Sequence, residues 1–194
     1  MALPPGPAEA SRALALARAA LARPRAPFRE LPSRLLLVDV ERQRLTLIED
    51  GRPVADYLVS TAAAGVGGKE GSNRTPSGWH RIHARIGAGA PGGAVFESRV
   101  ATGQMWRGEP RAEDLILTRV LTLQGFVEGV NRGPGRDSLA RYIYIHGTNH
   151  EEALGRPDSH GCVRMANADV VDLFERVAEG DAVVIVERGE ARPV

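Results

Sequence analysis

Residues 142–165 read Y-I-Y-I-H-G-T-N-H-E-E-A-L-G-R-P-D-S-H-G-C-V-R-M, and their reading decides what the rest of the chain has to build. Residues 142–145 combine aromatic and β-branched side chains, the profile of a short buried strand. His146 stands at its end, where Gly147 breaks the pattern. Gly155, Pro157 and Asp158 mark a loop, after which the chain arrives at Ser159-His160-Gly161-Cys162. The stretch holds the sole cysteine and three of the five histidines, His146, His150 and His160. A strand end, a polar loop and a lone thiol flanked by imidazoles are the parts of a cysteine nucleophile with its base.

Outward from this stretch, the sequence predicts a mainly β domain. Strands are expected over 34–40, 43–49 and 53–60, the second and third joined by a tight turn at Asp50-Gly51. Residues 79–86 alternate again, with Ile82, Ala84 and Ile86 on one face and Arg81, His83 and Arg85 on the other. His80 shares the apolar face and reads as a hydrogen-bonded core histidine. Further strands are expected over 95–102 and 114–123, the latter central. The glycine-rich stretch 64–78 lacks the spacing of a phosphate-binding loop and reads as a flexible surface loop or lid. Residues 128–137 form a second loop, placed to border the site.

After Met165 the period changes. Asn167 is positioned to cap a helix with an apolar stripe of Val170, Val171, Phe174, Val177 and Ala178, ended by Gly180. A last strand over 182–187 closes the domain. The fold expected is a β-sandwich or barrel with one clear helix after the cysteine. Residues 1–33 are read as a helical segment and linker, 34–188 as the catalytic domain and 189–194 as a tail.

The bulk numbers narrow the function. A length of 194 residues suits one domain with a proper core. The net charge of +1 gives no electrostatic case for nucleic acid or an anionic membrane. No apolar run approaches the roughly 20 residues that span a bilayer. Arg12, Arg18 and Arg23 interrupt the only Ala/Leu-rich stretch, so no clean secretory signal is present. Ala10, Leu14, Ala17 and Leu21 recur at helical spacing instead, which favours a docking helix over an Arg-rich transit peptide. As it stands the sequence reads as cytoplasmic; an envelope location would require a signal trimmed or missed.

A free thiol with a pKa near ~8.5 is mostly unreactive at neutral pH, and pairing with an imidazolium lowers it. The loop between His146 and Cys162 allows imidazole and sulfur to meet across a sheet edge. The amides of Gly161 and Cys162 are candidate oxyanion donors. Arg164, two residues beyond the thiol, shares its face in an extended segment and is a candidate for holding a substrate carboxylate. Two rival readings were weighed. An inert core thiol fits badly between His160 and Arg164. A zinc site built from His146, His150, His160 and Cys162 matches no common ligand spacing.

H-G-T followed by S-H-G-C-V-R-M resembles the signature of the YkuD-type L,D-transpeptidase family, with Thr75-Pro76-Ser77-Gly78 as a turn typical of these domains. The resemblance covers about residues 34–187. It implies a cysteine acyl-enzyme acting on peptidoglycan stem tetrapeptides or muropeptides, with no metal or organic cofactor. By position Cys162 would be the nucleophile and His146 the base, oriented by the carbonyl of Gly147. His160, Gly161 and Arg164 match the remaining positions of the motif, and Ser159 would shape the turn at the substrate. The resemblance implies transfer of the acyl group to an amine, or to water in a cytoplasmic carboxypeptidase of recycled tetrapeptides. A sortase-like enzyme, whose His and Cys lie farther apart, and a non-catalytic peptidoglycan-binding module are the more distant readings.

Overall fold

The computed structural model describes residues 3–187; the expected tail over 189–194 lies outside the described residues. Ten strands form the sheet: β1 (Arg34–Asp39), β2 (Arg44–Glu49), β3 (Arg52–Ser60), β4 (Gly78–Ile86), β5 (Ala94–Glu97), β6 (Val100–Met105), β7 (Ile116–Gly125), β8 (Tyr144–Gly147), β9 (Val163–Met165) and β10 (Ala182–Val186). Two helices accompany them, α1 (Pro7–Leu21) and α2 (Asn167–Arg176). The order β4-β10-β1-β2-β3-β9-β8-β7, together with a β4–β7 pairing, closes eight strands into a ring. β5 and β6 hang outside it as a hairpin. β5 takes over from β4 along β7, pairing Leu117 and Ile116 where β4 pairs Val120 to Gly125.

Ring closure follows from the alternation of the strands. Leu36, Val38, Leu45, Leu47, Leu121, Leu123, Ile145, Val163, Val183 and Ile185 turn to one side and form the main core. α2 adds Val170, Leu173 and Phe174 to it. At roughly 25 cal/mol per Å² of apolar surface removed from water, such a core is the principal source of stability. The opposite faces of β1 and β10 carry Leu35, Leu37, Val184 and Val186, and α1 covers them with Ala13, Ala17 and Ala20. The small alanines let the helix lie close. Trp79 Nε1 donates to the Ala20 carbonyl at 3.2 Å, satisfying one orphan acceptor at the helix end. Arg12 binds Asp39 at 2.5 Å and Glu41 at 2.6 Å, fixing the other end.

Several expectations are corrected. The single strand expected over 95–102 is a hairpin, β5–β6, because Ser98 takes a positive φ and turns the chain. Tyr142 also has a positive φ, +58°, so the strand before His146 begins at Tyr144. The stripe of α1 centres on Ala13, Ala17 and Ala20; Leu14 and Leu21, expected on it with Ala17, are half-buried and pack against the same cluster. Asn167 does not cap α2: Ala166 occupies that position, and the Asn167 backbone N–H donates to Glu151 Oε1 at 2.7 Å. In α2, Leu173 is buried where Ala178 was expected. The glycine-rich loop is tied down, with Gly67 N–H on Thr75 O, Thr75 N–H on Gly65 O and Glu70 N–H on Gly135 O.

His80 is fully buried in β4, with Nδ1 3.0 Å from the Gly78 carbonyl and Nε2 2.9 Å from Ser138 Oγ. This pairing serves a neutral ring that donates from Nδ1 and accepts at Nε2. Burial pushes its pKa down to about 4. The folded state therefore refuses a proton that the unfolded chain accepts below pH ~6.5. Stability is expected to fall by about 3 kcal/mol as pH drops from ~6.5 to about 4 and to flatten in this respect below it. Urea unfolding across that range checks the slope, which should shrink in His80→Gln.

Candidate active site

β8 and β9 run parallel with Ile145 opposite Val163 and His146 opposite Arg164. Ile145 and Val163 face the core, so Tyr144, His146, Cys162 and Arg164 share the outer face. His146 in β8 and Cys162, the residue just before β9, are thus diagonal neighbours in this register. Cys162 packs with Tyr144, Val120 and Phe96 under the β5–β6 hairpin and remains half-buried. Its Sγ lies 3.4 Å from the Tyr142 carbonyl.

His146 is buried, and its Nδ1 sits 2.8 Å from the Gly147 carbonyl. A carbonyl only accepts, so this contact places the ring proton on Nδ1 and leaves Nε2 unprotonated in the neutral ring. Burial lowers the His146 pKa, offset in part by the Gly147 carbonyl. Burial also pushes the Cys162 thiol up to about 11, helped by Asp114 and opposed by the Tyr144 backbone N–H, Arg164 and Arg141. The partial solvent exposure of Cys162 limits that upward push. Both shifts favour uncharged partners at rest: a thiol and a neutral imidazole.

The approach to the thiol is a turn held by hydroxyls. Ser159 Oγ donates to the Cys162 carbonyl at 2.6 Å and accepts from the Gly161 N–H at 3.2 Å. Thr75 Oγ1 donates to the Gly161 carbonyl at 3.0 Å and accepts from the Ala62 N–H. One of the two expected oxyanion donors, Gly161 N–H, is therefore engaged by Ser159. Gly161 has φ +138°, a conformation side chains rarely adopt. Gly147 is needed for a different reason: a Cβ there would come within 2.5 Å of Asn167 Oδ1 and 2.7 Å of the Leu117 carbonyl.

Arg164, expected to meet substrate, has a side chain only 2% exposed. Its Nη2 lies 2.5 Å from Asp114 Oδ2 and its Nη1 2.9 Å from Asp158 Oδ2. Two carboxylates already neutralise this guanidinium. His160 stands in solvent, with Nδ1 3.6 Å from Asp114. His150 sits beside Glu152 and Asn149. Among the described residues, no three His, Cys, Asp or Glu side chains gather as a metal site would require. Asp114, Asp158, Thr75 and Asn167 were not anticipated as parts of the site. Asn167 ties β7 to the strand end after His146: its Oδ1 accepts from Thr118 Oγ1, and its Nδ2 donates to Thr148 O and Glu151. Asp114, Asp158 and Thr75 lie outside H-G-T and S-H-G-C-V-R-M, and the place of Thr75 in the Thr75-Pro76-Ser77-Gly78 turn was the available signal.

Asp114→Asn should leave half of a buried guanidinium without its counter-charge and cost about 1–3 kcal/mol. Chemical denaturation measures the loss, and the thiol should alkylate differently because Asp114 also acts on it.

A family model described as YkuD, the L,D-transpeptidase catalytic domain, matches residues 33–185. A putative L,D-transpeptidase YkuD of Bacillus subtilis is 37% identical over 83 residues, covering 39% of this chain and 51% of that protein. A second B. subtilis relative, the putative L,D-transpeptidase YqjB, is 49% identical over 47 residues, 24% of this chain and 27% of its own length. The matches thus span about half or less of these curated relatives. Among solved structures, L,D-transpeptidase 3 from Mycobacterium tuberculosis aligns with a TM-score of 0.51 at 15% identity, covering 80% of this chain and 62% of that one. Another M. tuberculosis L,D-transpeptidase aligns at 0.50 and 16%, covering 80% and 58%; at these identities the likeness speaks for the fold. No described helix is long and apolar enough to cross a membrane. A motif on the outer face of two parallel strands, in a barrel of this topology and under this match, places the chain in the YkuD L,D-transpeptidase catalytic-domain family.

Proposed function

We propose that the chain is a peptidoglycan L,D-transpeptidase that cleaves the bond between diaminopimelate and the terminal D-Ala of a tetrapeptide stem through a Cys162 thioester. The supporting observation is the shared outer face of His146 and Cys162, with the Gly147 carbonyl holding His146 Nδ1–H and leaving Nε2 as a base. Because burial favours the neutral thiol and the neutral imidazole, proton transfer accompanies attack.

The thiol proton passes to His146 Nε2 as sulfur adds to the carbonyl carbon. The tetrahedral oxyanion is met by backbone N–H groups of the 159–162 turn. With Gly161 N–H held by Ser159 Oγ, the Cys162 amide is the first donor, and release of Gly161 from Ser159 supplies a second. The imidazolium returns its proton to the departing D-Ala amine, the C–N bond breaks, and the thioester remains. An acceptor amine then attacks that carbonyl, giving up a proton to His146, and sulfur leaves and is reprotonated. Arg164 acts through the protein by holding Asp114 and Asp158 in place, and His160 borders the opening.

Purified protein incubated with a disaccharide-tetrapeptide and a free D-amino acid, read by mass spectrometry, tests the reading. Exchange of D-Ala or formation of dimers is expected. Tripeptide as sole product, with the acceptor ignored, would make water the acceptor and the protein an L,D-carboxypeptidase. Cys162→Ala should abolish turnover and His146→Gln should slow it at least about 100-fold, the usual contribution of a positioned base. Turnover surviving in Cys162→Ala would overturn the thioester route.

A further inference from the structure

Arg141 lies immediately before Tyr142, whose carbonyl faces the Cys162 sulfur. Its side chain is half-buried and makes hydrogen bonds only to neutral oxygens. Nη1 donates to the carbonyls of Gly67 at 3.3 Å and Gly68 at 3.1 Å, and Nη2 to that of Arg74 at 2.8 Å. The Arg74 carbonyl in turn abuts Gly161, 3.5 Å from where a Cβ would stand. No carboxylate among the described residues lies within ion-pair distance of Arg141, although Glu70 acts on it from farther off.

A partly desolvated cation without a counter-ion is costly, and burial lowers its pKa accordingly. Its charge acts on the thiol, and the thiol on it. The other groups around the sulfur are already balanced. Arg164 is neutralised by Asp114 and Asp158, and Asp114 itself works against a thiolate. His146 is held neutral by burial. Arg99, in the β5–β6 hairpin, also has only neutral partners, the Leu139 carbonyl, the Tyr144 hydroxyl and the Tyr142 ring, but it is not among the charges that act on the sulfur.

We propose that Arg141 is a positioning residue whose uncompensated charge is reserved for the anionic sulfur of Cys162, and that its three carbonyl bonds make the 67–74 loop part of that device. No bond to Arg141 forms or breaks: the thiol proton goes to His146 Nε2, and Arg141 stays protonated throughout. The inference rests on Cys162 being the nucleophile. It does not depend on the identity of the substrate.

The test is alkylation of Cys162 by iodoacetamide at fixed pH 8, below the thiol midpoint, where the rate follows the thiolate fraction. Losing a cation acting on a thiolate raises its pKa by up to about one unit, and rising nucleophilicity offsets part of the loss, so Arg141→Met should react about three- to fourfold more slowly. Arg141→Lys, which keeps the charge, should stay within about twofold of the native protein, and so should Arg136→Met, which removes a cation from the neighbouring loop. Circular dichroism and thermal melting confirm folding; should Arg141→Met not fold, Arg141→Gln is read in its place. A folded neutral variant that alkylates at the native rate overturns the proposal. So does an Arg141→Lys protein as slow as the neutral one, because the bonds and not the charge would then carry the effect. Failure of the stem-peptide assay with these alkylation rates as expected would count against the substrate reading alone.

Discussion

The parallel pairing of β8 with β9 is the constraint on which the rest depends. Parallel neighbours cannot be joined by a tight turn, so the chain between them must leave the sheet and return. The excursion over residues 148–162 does this through a short 3-10 turn at Glu151–Ala153 and the Ser159–Cys162 turn. Its return in register puts Arg164 beside His146 and, one pleat earlier, the thiol on the imidazole's face. A slip of one residue would turn Cys162 into the core and bring Val163 out, so the hydrophobic pattern that fixes register also fixes the chemistry.

The two arginines that act on the sulfur differ in burial and in partners. The most deeply buried cation, Arg164, is matched by two carboxylates and serves to join β9 to the segments carrying Asp114 and Asp158. The less buried Arg141 has only carbonyls. Desolvation favours the uncharged thiol and the uncharged imidazole. A neutral thiol is the form less readily oxidised or alkylated.

Much of this was legible in the sequence, and the reasons differ by element. The β1–β3 meander, β4 and β10 announced themselves by alternation and by Asp50-Gly51, and α2 by its helical period. The H-G-T and S-H-G-C-V-R-M stretches carried the family likeness because their residues are adjacent in sequence. The β5–β6 hairpin escaped because Ser98 and Arg99 carry no strong turn signal, and the positive φ of Ser98 is imposed by context. The partners of Arg164 escaped because Asp114 lies far away in sequence, and nothing local distinguishes a carboxylate facing a buried guanidinium from one facing water. The residue type of Arg164 indicates anion binding, whereas the source of the anions it meets in the fold, Asp114 and Asp158, is a matter of tertiary structure.

Each strand of the eight-stranded ring has a neighbour on both sides, whereas β6, outside the ring, pairs with β5 alone. Its sequence, V-A-T-G-Q-M, is uncharged and exposed along most of its length, ordinarily an invitation to edge-to-edge association. Two local devices blunt it. Gly103 takes φ +79° and interrupts the extended line, and Thr102 Oγ1 accepts the Gln104 N–H. One glycine and one threonine thus break the regular edge of a hairpin that lies outside the barrel. Substitutions that straighten β6 would be felt first as self-association, with the core left intact.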